Sequence, residues 1–412
     1  MQQTKNKWLI ALSAIGIHIC IGSVYAWSVL TKPIMEAMGF SLKDVTWTFS
    51  LAILFLGLSA GFLGSYVEKY GPRRSGLVSA TFFCFGMFGT AFALTQHSLT
   101  LMYLFYGVIG GIGLGTGYIT PVSTLVKWFP NNRGLATGLA IMGFGFASLI
   151  AGPVMQILIA KYGLINNFLI LGCVYFVVMV SSALYLEPPK MAPLPDSPTK
   201  FPVNTPLAAG PQYTAKEAMH TWMFAALWWI FFTNITCGIG LLAVASPMAQ
   251  EVIKMSPLEA ASMVGIIGLL NGGGRIAWST LSDYIGRRNT YVLFFAIQIA
   301  AFYLLASVTD SFMFQALIFI IITCYGGGFS CMPAYLSDLF GTKQLSAIHG
   351  RILTAWGLAG IAGPLLLSII YERTHSYTLT LYFFSGFFVV SLIIALILKF
   401  KTEKYGKINK AE

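Results

Sequence analysis

The sequence predicts an all-α integral membrane protein. Twelve membrane-spanning helices form two pseudo-symmetric six-helix halves, with both termini cytoplasmic. Three observations carry this. Of 412 residues, 57% are hydrophobic and only 9% charged, whereas a soluble domain carries about a quarter charged residues. Residues 75–126 contain no Lys, Arg, Asp or Glu, a run long enough for two spans of roughly 20 residues each and too long for a signal-peptide core. A charged turn motif also recurs at a fixed offset in the two halves. A soluble enzyme, a secreted disulfide scaffold and a nucleic-acid binder are excluded. The formal charge of +11 comes from basic residues scattered at segment ends, where they set topology.

Apolar segments fall at 8–31, 45–66, 76–96, 101–126, 135–160 and 166–186. They resume at 219–246, 258–281, 290–308, 312–337, 348–372 and 378–400, each bounded by charge or by Gly, Pro or Asn. Helices rather than a barrel follow, because backbone polar groups in lipid need partners within their own segment and β-turn signals are sparse. The chain divides into a first bundle at 1–186, a cytoplasmic linker at 187–218, a second bundle at 219–402 and a tail at 403–412. The linker holds eight of the seventeen prolines and reads as irregular and water-exposed. With both ends cytoplasmic, inner segments hold 19 Lys or Arg and outer ones five, the bias expected of that orientation. All six cysteines sit in apolar runs without metal spacing and read as buried small hydrophobes.

Gly64-Ser-Tyr-Val-Glu68-Lys-Tyr-Gly71-Pro-Arg73-Arg74 stands between the second and third spans. Ser279-Thr-Leu-Ser-Asp283-Tyr-Ile-Gly286-Arg287-Arg288 stands between the eighth and ninth. Acid and glycine share one offset of 215, as parallel repeats do in transporters that rock about a central site. Ala151-Gly152-Pro153 recurs as Ala362-Gly363-Pro364, at an offset of 211. The acid-x-x-Gly-x-Arg-Arg turn resembles the signature of the major facilitator superfamily, with Glu68 standing for the usual Asp. Gly22-Ser-Val-Tyr25-Ala-Trp27 with Pro33, Lys127-Trp128-Phe129-Pro130 with Arg133-Gly134, and Asn271-Gly-Gly-Gly-Arg275 resemble the oxalate/formate antiporter branch. That branch is close to the monocarboxylate transporters of lactate and pyruvate.

Among all charged residues only Arg275 lies well within a span, and all fourteen acids map to loops or ends. An unpaired Arg at a helix centre costs about 2.5–3.5 kcal/mol on insertion scales. A substrate carboxylate is the fitting partner, since the planar guanidinium matches it at two points. The competing reading has Arg275 snorkel or bind carbonyls near Gly272–Gly274. The resemblance implies a substrate-binding Arg at this position. It also implies a Lys in the eleventh span of the oxalate exchangers, and counting back from Gly363 puts Trp356 there. One cation favours a monocarboxylate over a dianion. Animal monocarboxylate transporters carry a proton-linked Asp one turn before the Arg, where Asn271 stands here.

His18 is the candidate proton carrier, against the plainer reading of a hydrogen-bonded core histidine. His349 reads as a gate or surface residue near the cytoplasmic mouth. Tyr25, Tyr118, Tyr325, Phe329 and Trp356 are candidates for a narrow pocket around Arg275 and Asn271, with packing as the alternative for each; Asn234 is a further polar candidate. Glu68 with Arg73 and Arg74, and Asp283 with Arg287 and Arg288, read as cytoplasmic latches. The expected function is proton-coupled symport of a small monocarboxylate such as lactate or pyruvate. The alternatives are an oxalate/formate-type anion exchanger and, from another class, a metabolite sensor. Neither enzyme activity nor a cofactor, metal or nucleic-acid partner is expected. The partners are the anion, a proton and the bilayer, around a monomeric unit in the cell membrane.

Overall fold

Fourteen α-helices follow one another along the chain in a computed structural model that describes residues 5–189 and 212–408. Most of the predicted linker and the end of the tail lie outside the described residues. Ten helices are long and apolar enough to cross a membrane, and the chain is a multi-pass membrane protein. One of them, Asp44–Thr95, has 52 residues, about 78 Å of helix at 1.5 Å per residue and enough for two crossings. The helix Pro257–Ile285 is also long enough to cross but less apolar, because it carries Asn271, Arg275 and several glycines.

The first predicted span is built in three pieces. Helix α1 (Lys7–Gly22) passes through a 3-10 turn at Ser23–Ala26 into α2 (Trp27–Met38). The Ser23 hydroxyl donates to the Cys20 carbonyl at 2.7 Å, a local bond that competes with the regular helix ladder. Helix α3 (Leu42–Thr95) holds the second and third spans and bends at Gly71, whose φ is 78°. Gly286 adopts the equivalent φ of 83° between α10 (Pro257–Ile285) and α11 (Arg287–Leu305). Only glycine takes such angles without steric cost, which explains why the repeated motif keeps it. The fourth span comprises α4 (Leu99–Met102), a π-helical stretch at Tyr103–Gly110 and α5 (Gly111–Trp128). Helices α6 (Arg133–Tyr162) and α7 (Leu164–Tyr185) complete the first set.

The second set opens with a short helix, α8 (Ala215–Met219), inside the segment expected to be irregular. A capping box explains it: Thr214 and Glu217 satisfy each other's backbone N–H groups. Bonds from the Thr214 backbone and hydroxyl hold the Glu217 carboxyl below its ordinary range. Then follow α9 (Trp222–Val252), α10, α11, α12 (Ser311–Phe340), α13 (Leu345–Thr374) and α14 (Thr378–Ile408). The last helix runs on past the predicted end of its span.

Large apolar side chains face outward, including Phe62, Val177, Phe312 and Phe400, as lipid allows. Cys173 lies with them, so it is exposed rather than buried; the other five cysteines are buried. Lys5 pairs with Glu187 at 3.1 Å and the Trp8 ring meets Phe129 at 5.4 Å. The start of α1 and the ends of α5 and α7 therefore share one face, called here the terminal side. The two sets meet along two seams, α3 against α13 and α6 against α10.

Candidate functional site

Among the described residues, the most fully buried charge comes from helix α10. The Arg275 side chain is fully buried. Its Nε donates to Asn271 Oδ1 at 3.2 Å, one turn earlier, and its Nη1 donates to the Ile141 carbonyl of α6 at 3.3 Å. Its Nη2 is buried as well. The guanidinium carbon lies 5.2 Å from the Phe329 ring of α12 and 5.9 Å from the Phe144 ring of α6, within cation–π range of both. Among the described residues no carboxylate pairs with Arg275.

This placement depends on two helices that nearly touch. A Cβ at Gly145 of α6 would stand 2.8 Å from Gly272 Cα and 3.2 Å from Arg275 Nε. Only glycine at 145 lets α6 and α10 pass this closely. Ser330 of α12 also donates to the Arg275 carbonyl at 2.7 Å, tying the third wall to the same turn.

Rings enclose the guanidinium. Trp356 of α13 is the hub, with centroids 4.8 Å from Phe329, 5.1 Å from Tyr118, 5.6 Å from Phe144 and 6.3 Å from Tyr25. Tyr325 meets Phe329 at 5.3 Å. The predicted residues Arg275, Asn271, Tyr25, Tyr118, Tyr325, Phe329 and Trp356 thus lie in one cluster. Four of its donors are buried: the Tyr118 hydroxyl and the Trp356 Nε1 make no hydrogen bond, while the Tyr25 hydroxyl neighbours both the Tyr325 hydroxyl and the Arg275 guanidinium. A buried unpaired donor costs about 1–3 kcal/mol. Two free donors, a guanidinium and apolar walls suit a small anion rich in acceptors.

His18 lies beside the cluster, fully buried, with its ring 5.2 Å from that of Tyr118. Its Nδ1 faces the Ala140 carbonyl and its Nε2 the Tyr118 carbonyl at 3.1 Å. Two carbonyl acceptors suit the two donors of an imidazolium, whereas a neutral ring donates to only one of them; full burial and the nearby Arg275 oppose the charge. Asn234 stands apart from the cluster. It donates to the Tyr325 carbonyl at 3.3 Å and accepts from Gln298 at 3.1 Å, a scaffold for α12. His349 is fully buried, which corrects its reading as a surface residue.

The repeated motifs meet at the terminal side in a crossed arrangement. Glu68 of α3 accepts from the Ser346 N–H at the start of α13 at 2.6 Å and pairs with Lys127 at 3.0 Å. Asp283 of α10 accepts from the Gly134 and Leu135 N–H groups at the start of α6, at 2.9 and 3.0 Å. Each acid therefore caps a helix of the opposite set, where the helix dipole favours negative charge. Arg287 pairs with Asp283 and reaches Asp338 at 3.6 Å; Arg133 lies 3.7 Å from Asp338. The expected pairing of Glu68 with Arg73 and Arg74 is not formed. Both arginines lie beyond the Gly71 bend, exposed to solvent. Arg288 is half-buried and forms no ion pair among the described residues.

Sequence reasoning missed Phe144, the Ile141 carbonyl, and Lys127, Arg133 and Asp338 as latch partners. Phe144 sits in a Gly-Phe-Gly-Phe run whose inward face is set by the α6–α10 approach. A backbone acceptor leaves no trace in residue identity.

The model of the Major Facilitator Superfamily matches residues 12–299 and 236–412. The chain belongs to this superfamily. Three relatives are similar over most of its length. The uncharacterized MFS-type transporter YhjX of Escherichia coli is 28% identical, covering 87% of this chain and 86% of its own. The oxalate:formate antiporter of Oxalobacter formigenes is 27% identical, covering 87% and 83%. The mouse monocarboxylate transporter 14 is 22% identical, covering 95% and 89%. Among solved structures, the E. coli fucose:proton symporter FucP has a TM-score of 0.75 at 11% identity, covering 96% of this chain and 99% of that one, a likeness of fold. As a superfamily member the chain is a transporter and not an enzyme.

Proposed function

We propose that this transporter moves small monocarboxylates of the lactate or pyruvate kind together with a proton, and that Arg275 binds the carboxylate. The observation that carries the reading is the fully buried guanidinium with no acidic partner among the described residues. The anion supplies the missing charge, while the Tyr118, Tyr325 and Tyr25 hydroxyls and the Trp356 indole serve its remaining acceptors. Phe329 and Phe144 shelter its carbon chain. Relatives named as an oxalate:formate antiporter, as a monocarboxylate transporter and as an apicoplast pyruvate carrier support an organic anion. A single charge in the pocket favours one carboxylate over two.

His18 carries the proton in this reading. Arg275 and His18 interact electrostatically, so a bound anion that offsets the guanidinium lowers the cost of charging the imidazole. Anion and proton then bind cooperatively, and the coupling is reciprocal. The two bundles, 1–186 and 219–402, rock about the site as a monomeric unit, and the positive bias of the loops places both termini in the cytoplasm. The latches of Glu68, Asp283 and Arg287 hold the cytoplasmic side shut in the present conformation.

Uptake of labelled lactate into proteoliposomes tests the proposal. Acid outside should accelerate it and a protonophore should abolish the gradient-driven part. Counterflow that proceeds at full rate without any pH response would instead favour an anion exchanger.

A further inference from the structure

His349 is a buried titratable group with no part in the scheme above. It projects from α13 on the face that also carries Trp356, two turns away. Its ring centroid lies 6.0 Å from that of Tyr118 of α5. Both its nitrogens are buried and neither has a hydrogen-bond partner. The seam that covers it is tight, since a Cβ on neighbouring Gly350 would stand 1.9 Å from the Ala60 carbonyl of α3. One turn towards the terminal side lies the Glu68–Ser346 latch. His349 therefore sits between the ring cluster and the latch, on the route any cargo takes when that side opens.

The groups facing it are few. His18 of α1 interacts with it electrostatically, and Tyr118 of α5 is its ring neighbour. On α3 the latch acid Glu68 is held by Lys127 and Ser346. Helices α8, α9, α12 and α14 also pack on α13, and among the described residues none of their charged side chains interacts with the ring. A charged imidazole held here would lack both solvent and partner.

We infer that His349 is a proton-dependent gate: neutral while the terminal side is shut, protonated once that side opens, and so stabilising the open state in acid. When α13 separates from α3 and α5, water reaches the ring and it titrates near an ordinary histidine value of about 6.5. The sign follows from linkage. Protons bind the open state and not the shut one, so the open-to-shut ratio grows as pH falls through that value. The ratio is multiplied by about 1.1 at pH 7.5 and about 11 at pH 5.5, a rise of about tenfold. A protonated His349 also gives an anion near the mouth a second cation beyond Arg275. The gate rests on the two-state cycle and not on the identity of the cargo.

The test needs no cargo, so its failure leaves the monocarboxylate proposal standing. Spin labels are placed at Arg73→Cys and Tyr284→Cys, exposed positions just past the Gly71 bend of α3 and at the end of α10, with exposed Cys173 replaced by Ser. Pulsed electron–electron distance measurements in nanodiscs then give the two populations. From pH 7.5 to 5.5 the open-to-shut ratio should rise about tenfold. It should stay flat in His349→Gln and still rise in His18→Gln. A flat ratio in the otherwise native chain overturns the gate, as does a rise that survives His349→Gln. If His349→Gln fails to fold, His349→Phe fills the same space and is read in the same way.

Discussion

Replacing Asn271 by Asp puts a carboxylate where the amide oxygen now accepts from Arg275 Nε at 3.2 Å. Two unit charges whose centres lie about 4 Å apart attract by about 4 kcal/mol at an effective dielectric constant of 20. Desolvating the new carboxylate costs several kcal/mol, so the pair roughly breaks even for folding. Its effect on cargo is larger. An incoming carboxylate then meets a neutralised arginine and a like charge beside it, and loses most of that attraction. We expect lactate affinity to fall between about tenfold and a hundredfold at pH 7.5, equivalent to about 1.4–2.8 kcal/mol. The carboxylate beside the guanidinium stays ionised down to about pH 4, so the loss should persist at pH 5. Isothermal calorimetry of purified protein at pH 7.5 and pH 5 measures it. Unchanged affinity at pH 7.5 would refute the assignment of Arg275 to the anion.

The other expected outcomes concern the same walls. Arg275→Lys should insert and fold yet lose most lactate binding in calorimetry, because an ammonium cannot reproduce the planar contact or the ring sandwich. Trp356→Lys restores a second cation opposite α10 and should gain oxalate binding while weakening lactate. Trp356→Leu is the control for the lost indole, and equal preferences in the two variants would count against Trp356 lining the site. Gly145→Ala must push α6 from α10, because its Cβ would stand 2.8 Å from the Gly272 backbone. Despite about 1 kcal/mol of better helix propensity, it should lower thermal stability and lactate affinity together. Glu68→Gln removes a charged cap worth about 1 kcal/mol and should raise the open population about fivefold in the spin-label measurement.

The succession of membrane helices was legible because hydrophobic run length is a composition property, and the paired turns because their acid and glycine repeat at one offset. Arg275 was legible as the one charge without an in-span partner. The 3-10 turn after Gly22 and the helix at Ala215–Met219 were not. Each depends on hydrogen bonds made by one or two side chains within an otherwise unremarkable stretch. The latch partners were hidden for a different reason. Neighbours in sequence suggested Glu68 with Arg73 and Arg74, but the Gly71 bend directs both arginines to solvent and Glu68 finds a helix end from the other set. The Ile141 carbonyl that holds Arg275 could not be read at all, since every residue has one.

The crossed caps have a kinetic consequence. Each acid is anchored on one set of helices and grips the first turn of a helix in the other. Rotating the sets apart stretches both grips at once, and loosening either alone leaves the second seam holding. A thermal fluctuation that frees one edge meets the restoring pull of the other, so a crevice on the terminal side closes before it becomes a through-path. The pair acts as a two-key lock, in which the two seams are expected to release together rather than one at a time.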